Sequence, residues 1–115
     1  MVKELFAAID AKDAARFASF LDPACIFRFG NAPPVRGRDE IERYVAGFFA
    51  ALKSLSHKVL DAWTTPDAVL CHGLVTYVRH DGSSLQVPFA NVLKLKSGKV
   101  KEYLIFADTS ELFRA

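Results

Sequence analysis

The sequence predicts an α+β fold in which a curved antiparallel sheet packs against one long helix and two short N-terminal helices. Downstream of the predicted long helix, four runs alternate in character with the two-residue period of strands. The helix itself is predicted by apolar residues at i, i+3, i+4, i+7, i+8 and i+11, the spacing of one helix face. These residues are Ile41, Tyr44, Val45, Phe48, Phe49 and Leu52. A large apolar helix over a curved sheet favours a cavity between the two layers, where a ligand would bind.

Length and composition limit the class of protein. The 115 residues predict a single domain spanning residues 1–115. Hydrophobic residues make up 51% and ten residues are Phe, which indicates a lined pocket, an apolar interface between subunits or a Phe-rich core. A net charge of +2 with mixed signs argues against a nucleic-acid partner. The chain lacks an apolar run of about 18 residues, which argues against a membrane span.

The two cysteines bear on location and on cofactors. Cys25 and Cys71 both lie inside apolar runs, and no secretory signal is seen, so we expect reduced core thiols in a cytoplasmic protein. Neither cysteine belongs to a CxxC pair, the three His lack metal-type spacing, and no glycine-rich phosphate loop is present. We therefore expect neither a metal nor a cofactor.

Capping residues and breakers predict the elements of the first half. Asp13 is expected to cap the second short helix, and Asp22-Pro23 to end it. Asp39, with Glu42 three residues on, is expected to cap the long helix. The remaining predictions are a strand at residues 25–29, a loop at residues 30–34 and a helix end near Lys53.

Three turns are predicted between the four strands of the second half. They lie at Pro66-Asp67, at Asp81-Gly82 and at Lys96-Ser97-Gly98. The Asp81-Gly82 turn is predicted to have two residues, both with positive φ, and the last turn to be type I closed by a glycine bulge. The loop lengths determine which residues face each other across the strands.

This register predicts a row of four polar side chains on the face that meets the long helix. The row is Asp61, His72, Asn91 and Tyr103, beside an apolar row of Val59, Leu74, Phe89 and Ile105. An unpaired buried polar group costs about 1–3 kcal/mol, so the four should bond one another, be hydrated or face a ligand. Asp61 would orient the His72 imidazole as a general base. The alternative is a satisfied structural polar network, or a row that lies at the solvated rim.

The opposite face of the sheet is too apolar for the solvated face of a monomer. Its predicted apolar residues are Leu60, Ala62, Cys71, Val75, Tyr77, Pro88, Ala90, Val92, Leu104 and Phe106. Homodimerisation through this face is therefore expected.

Several short motifs occur in an order that resembles a known superfamily. They are Phe29-Gly30-Asn31 with Pro34 and Gly37-Arg38, Tyr77 with Asp81-Gly82, Pro88-Phe89-Ala90, Gly98-Lys99-Val100 before Tyr103, and Phe106-Ala107-Asp108. Over essentially the whole chain this pattern resembles the cone-shaped, cystatin-like fold of the nuclear-transport-factor-2-like superfamily, and within it the SnoaL-like proteins. The resemblance implies a cavity between sheet and helix, often a homodimer, and functions that vary among members.

Two enzyme groups of this superfamily can be compared residue by residue. Limonene epoxide hydrolases look similar at the first strand, where Phe29 replaces their Tyr and Asn31 is retained. Their later charged positions fall on Leu74, Thr76 and Ile105, so their water-activating groups are missing. The Tyr and Asp that ketosteroid isomerases need fall on Leu5 and on Arg28 or Phe29. Asp108 closes the last strand as an Asp does in many relatives, although Asp108-Thr109-Ser110-Glu111 is also a helix-capping pattern.

Two functions follow from these observations. The first is a cavity that binds a small hydrophobic molecule through Phe29, Asn31, Leu74, Thr76, Phe89, Asn91 and Ile105. Its enzymatic version is a cofactor-independent isomerase, cyclase or hydrolase in which His72 with Asp61 acts as base and Tyr103 or Asn91 polarises a carbonyl. The second is a non-catalytic dimeric interaction or assembly domain. A cavity of several hundred Å3 would favour the ligand.

Overall fold

A computed structural model describes residues 1–113. The helices are α1 (Val2–Asp10), α2 (Ala14–Ala18) and α3 (Arg38–Ala50). The strands are β1 (Leu21–Phe29), β2 (Val35–Arg36), β3 (Ser54–Thr65), β4 (Ala68–Val78), β5 (Ser84–Lys96) and β6 (Lys99–Ala107). One curved six-stranded sheet runs in the order β2-β1-β6-β5-β4-β3, and α3 packs on its concave face. This confirms the predicted α+β fold, with one correction: β1 pairs with β6 in parallel, while the other neighbours are antiparallel.

The helix ends differ from the predictions at two of the three helices. Asp13 does cap α2, since its Oδ1 accepts the Arg16 N–H at 3.0 Å. However, α2 ends at Ala18, because Leu21 already pairs with β6 and Asp22-Pro23 lie inside β1. The cap of α3 is Gly37 instead of Asp39, with φ of 91° and no side-chain bond.

The hairpin between β4 and β5 is one residue longer than predicted. The Arg79 N–H donates to the Ser83 carbonyl at 2.8 Å, so three residues, 80–82, form the turn. Only Gly82 among them has positive φ, at 90°. Because side chains alternate along a strand, one extra residue moves every side chain of β4 to the face opposite the predicted one. The predicted pairing of His72 with Asn91 is therefore wrong, and Asn91 pairs with Cys71.

The hairpin between β5 and β6 departs from its predicted form without changing the face. Ser97 and Gly98 both have positive φ, so this turn has two residues, and a bulge follows in β6. The turn and the bulge together shift the pairing of β5 with β6 by two residues from the predicted pairing. Because two is an even number, the side chains stay on the predicted face. Asn91 and Tyr103 consequently share the predicted face, although Asn91 lies opposite Ile105 and Tyr103 opposite Leu93.

A bulge at Leu60 divides β3 into two parts. Asp61 pairs with His72 as predicted, but Val59 pairs with Gly73. On the N-terminal side of the bulge His57 pairs with Val75 and faces the concave side, where it contacts α1, while Asp61 on the other side faces away. Because of the extra residue, the alternation of side chains after Leu60 is offset by one from the alternation before it, so the two parts of β3 present opposite sets of residues to the core.

The core lies between the concave face of the sheet and the three helices. From α3 and the residues after it, Ile41, Val45, Phe49 and Leu52 are buried, whereas Tyr44 is 42% exposed and Phe48 is half-buried. The residues at the centre of the predicted apolar helix face are therefore buried as expected, whereas Tyr44 and Phe48 at one edge of it are partly exposed. None of the helices in residues 1–113 is long and apolar enough to cross a membrane.

Candidate functional site

A cavity of about 50 Å3 lies between α3 and the concave face of the sheet. Its wall is mostly aromatic and aliphatic, and the lining residues that carry polar side-chain atoms are His57, Asn91, Tyr44, Tyr77 and Tyr103. A cavity needs about 10–15 Å3 to hold one water, so the present volume holds only a few non-hydrogen atoms. It is smaller than the several hundred Å3 that would favour a ligand outright.

Asn91 is the buried polar residue whose hydrogen bonding is incomplete. Its side chain is 3% exposed, and among residues 1–113 no hydrogen-bond partner is found for Oδ1. A buried acceptor without a partner costs about 1–3 kcal/mol. Asn91 also lines the cavity, which places its side-chain amide beside any molecule bound there.

Two phenol groups add hydrogen-bonding capacity to the wall. Burial raises the pKa of Tyr77 to about 12 and raises the pKa of Tyr103 still further. Tyr103 is 1% exposed and packs edge-on against Phe17, with ring centroids 5.4 Å apart. Both phenols stay protonated at neutral pH, so each retains a hydrogen to donate.

An Asp–His pair joins α1 to β3 at the cavity wall. Asp10 Oδ1 lies 2.7 Å from His57 Nδ1, and Asp10 Oδ2 accepts the His57 backbone N–H at 3.0 Å. The imidazole packs against Phe6 and Phe89, with centroid distances of 4.7 and 5.1 Å. These contacts hold the ring in one orientation. In the neutral imidazole, a carboxylate acceptor at Nδ1 favours the tautomer with its proton on Nδ1, which leaves the lone pair on Nε2.

Three aromatic rings separate the cavity from a groove at the surface. Phe29, Tyr44 and Phe48 line both the cavity and this groove, whose volume is about 430 Å3. Phe48 also contacts Phe113 edge-on at 6.2 Å, near the C-terminal turn. We call these three shared rings the mouth of the cavity.

The structure brings part of the predicted ligand site together. Phe29, Phe89, Asn91, Tyr103 and Ile105 line the cavity. Asn31, predicted alongside them, lies in the outer groove and is exposed.

The other predicted residues lie on the convex face of the sheet. His72 and Asp61 are hydrogen-bonded, with 2.9 Å between Nε2 and Oδ2, as predicted for the pair. Their side chains are 43% and 59% exposed, and neither lines the cavity. Leu74 and Thr76 share their face. The predicted position of these four residues in the cavity is wrong, because the β4–β5 loop has one residue more than expected.

The convex face is apolar around this pair. Trp63 is 57% exposed and stacks on His72 at 5.9 Å, and Phe106 is 57% exposed. Cys71, Val75 and Tyr77, predicted here, are instead buried on the concave face. The convex apolar surface consists of Trp63, Leu70, Leu74, Pro88, Ala90, Val92, Leu104 and Phe106.

The candidate site residues that sequence reasoning missed are Asp10 and His57. His57 had a detectable signal, since it falls between inward-facing Leu55 and Val59 in β3. Asp10 is 47 residues away in the chain and its pairing with His57 leaves no local pattern. Asp108, considered as a cap or a catalytic group, accepts the Ser110 N–H at 3.0 Å, and this bond lowers the pKa of its carboxyl. No group of three or more metal-ligating side chains was found within residues 1–113.

Comparison with known proteins places this geometry in a family. The model of the SnoaL-like domain family matches residues 2–103. A protein from Jannaschia sp. CCS1, described as a SnoaL-like polyketide cyclase, is 20% identical with a TM-score of 0.85, covering 99% of this chain and 87% of that one. A nuclear-transport-factor-2-like protein of unknown function from Burkholderia pseudomallei is 16% identical with a TM-score of 0.86, covering 98% and 92%.

A third similar structure contains a small molecule. It is a protein of ketosteroid isomerase-like fold from Catenulispora acidiphila in complex with trimethylamine, 14% identical with a TM-score of 0.83, covering 91% of this chain and 82% of that one. At these identities the likeness shows the fold alone, whereas the family match covers most of the chain. The chain belongs to the SnoaL-like domain family.

Proposed function

We propose that this protein binds a small, largely apolar molecule that donates a hydrogen bond to Asn91 inside the cavity. The observation that carries the proposal is the buried Asn91 Oδ1, which has no partner among residues 1–113. Proteins seldom leave a buried acceptor unpaired, since doing so costs about 1–3 kcal/mol. A ligand hydroxyl or N–H would offset that cost, and the surrounding aromatic wall favours an apolar body.

The present cavity limits what binds without rearrangement. Its volume of about 50 Å3 suits a ligand of a few heavy atoms, and trimethylamine in the Catenulispora relative is a molecule of that scale. Rotation of the mouth residues Phe29, Tyr44 and Phe48 would join the cavity to the groove of about 430 Å3. The combined space lies within the ~300–1,000 Å3 typical of ligand sites, so a larger ligand requires the mouth to open.

Phenol and benzene provide a test of the cavity with its mouth open, because each is larger than the present space of about 50 Å3. They share an aromatic ring, and only phenol has a hydroxyl to donate to Asn91. We expect phenol to bind more tightly in a calorimetric titration, and Asn91→Leu to remove about tenfold or more of that preference, equivalent to about 1.4 kcal/mol. Gln86→Leu, which also replaces an amide by Leu but on the exposed convex face, is the control and should leave both affinities unchanged. Absence of phenol binding, or a preference unaffected by Asn91→Leu, contradicts the proposal.

A second proposed property is a homodimer formed by the convex apolar surface. The exposed rings of Trp63 and Phe106 support it, because such side chains on one continuous sheet face favour association. The surface could serve an assembly role with or without a ligand. The two buried free thiols, Cys25 and Cys71, favour a reducing cytoplasmic location.

Ala90→Arg tests the dimer. Ala90 lies between His72 and Phe106 on the convex face, so an arginine there would bury an unpaired charge in an interface. We expect light scattering to show a dimer for the native protein and a monomer for the variant. Ser56→Arg, an exposed residue at the edge of the same face on β3, is the control. A native monomer at micromolar concentration would rule the dimer out.

A further inference from the structure

We propose that His57, positioned by Asp10, is a base that removes a proton from a hydroxyl group of the molecule bound in the cavity. The inference rests on the proposed ligand binding and adds an activity to it. The substrate class is a small apolar molecule with an acidic hydroxyl, that is, a phenol or an enol.

The geometry of the pair supports this role. Asp10 holds both the His57 backbone N–H and Nδ1, at 3.0 and 2.7 Å. A carboxylate at Nδ1 selects the tautomer whose other nitrogen, Nε2, can accept a proton. The rings of Phe6 and Phe89 fix the plane of the imidazole, so its orientation needs no adjustment when a substrate enters. A general base requires a free lone pair in a fixed direction within reach of the proton.

The position of the pair separates the base from the stabilising charge. The His57 side chain is 10% exposed and lines the apolar cavity, whereas the Asp10 side chain is 30% exposed. Asp10 borders a surface groove that His57 also lines, so His57 reaches both the groove and the cavity, whereas Asp10 does not line the cavity. The imidazole is therefore the member of the pair that a molecule in the cavity would contact. The exposed Asp61–His72 pair has similar chemistry but faces away from the cavity.

The proposed step is a single proton transfer. The substrate O–H bond breaks, its electron pair stays on oxygen, and the proton bonds to His57 Nε2. The products are a substrate anion and an imidazolium whose positive charge is offset by the Asp10 carboxylate. The anion returns to the neutral molecule when the same proton is given back, either to oxygen or to a carbon atom conjugated with it. Return to carbon converts an enol into its ketone, so the net reaction is an isomerisation without a co-reactant.

A probe that reports its own protonation state tests the step. 4-Nitrophenol acquires a visible absorption band when it becomes the phenolate. In buffer acidic enough to keep the free probe mostly protonated, we expect the native protein to produce the phenolate band on binding. His57→Gln should retain binding, measured by calorimetry, and lower the band about tenfold or more. Its backbone N–H can still bond Asp10, so the link between α1 and β3 is preserved.

His72→Gln is the matched control, since it changes the same residue type on the convex face. It should leave both binding and the phenolate band unchanged. Binding of the probe without a phenolate band in the native protein, or a band that survives His57→Gln, would overturn the base and leave the binding proposal intact. If the native protein binds neither phenol nor 4-nitrophenol, both proposals are overturned.

The role of Asp10 requires a readout beyond stability. Nitrogen-15 resonances of the His57 ring report which nitrogen is protonated, and we expect Nδ1 protonated in the free native protein and both nitrogens protonated after the probe binds. Asp10→Asn should abolish the protonation of Nε2 by the bound probe, because the imidazolium loses its counter-charge. A purely structural Asp10 would instead lower the melting temperature and leave these ring resonances unchanged in the folded variant. The native spectra alone test the transfer should either variant fail to fold.

Discussion

Replacing Asn91 by Leu is expected to stabilise the protein, because it removes a buried acceptor that has no partner. Asn91 is 3% exposed, and its Oδ1 has no bond within the described chain. The unsatisfied group costs about 1–3 kcal/mol. Leucine is larger than asparagine, and the adjacent cavity of about 50 Å3 has room for the difference. The expected gain in the free energy of unfolding is therefore about 1–3 kcal/mol, reduced by any residual overpacking.

Urea unfolding of the ligand-free proteins measures this gain directly. A rise in the midpoint with an unchanged slope reports a change in stability alone. For a chain of this length, 1 kcal/mol corresponds to about 3–6 °C in melting temperature. Asn31→Leu makes the same chemical change at an exposed loop position and should stay within about 0.5 kcal/mol of the native protein.

The opposite result would refute the reasoning. A loss of about 1 kcal/mol or more on Asn91→Leu would mean that the amide makes a stabilising hydrogen bond in the folded protein. A gain in stability together with lost phenol binding would instead show that Asn91 is retained for function at a cost in stability.

Three further predictions concern packing and titration. Gly73→Ala should cost about 3 kcal/mol or more in urea unfolding, since its Cβ would lie 1.9 Å from the Lys58 carbonyl oxygen; Gly47→Ala, with nothing within 4 Å, should stabilise α3 by about 0.5–1 kcal/mol. Equal effects of the two glycine substitutions on stability would contradict the close approach of β3 to β4 at Gly73. Phe49→Ala should cost about 3–5 kcal/mol, and Phe48→Ala distinctly less because that ring is half-buried at the mouth. The reverse order would mean that the mouth is misassigned. Burial raises the pKa of Cys25 to about 12, so the folded state keeps the thiol proton while the unfolded state loses it above about pH 8.5. The free energy of unfolding should therefore fall as the pH rises above that value. Cys25→Ala should lessen this fall in unfolding experiments at several pH values. An unchanged dependence of stability on pH in the variant would show that Cys25 is not its cause.

The periodicity of side chains was sufficient to predict the architecture. Helix α3 was identified from the spacing of its apolar residues, of which Ile41, Val45 and Phe49 are buried. Both β5 and β6 also present the predicted side chains to the cavity, including Asn91 and Tyr103. These predictions succeeded because burial of one face leaves a local pattern, and because the register error between β5 and β6 was an even number of residues.

Tertiary structure alone decided which His–Asp pair faces the cavity. Two local irregularities, a three-residue turn at 80–82 and the bulge at Leu60, place His72 and Asp61 on the convex face and His57 on the concave face. Each irregularity adds a single residue, and the favoured turn chemistry of Asp81-Gly82 does not distinguish the two loop lengths. The bond from Asp10 to His57 spans 47 residues of chain. Such a contact depends on how α1 packs across β3, a result of burying Phe6 against Phe89, and no sequence period encodes it.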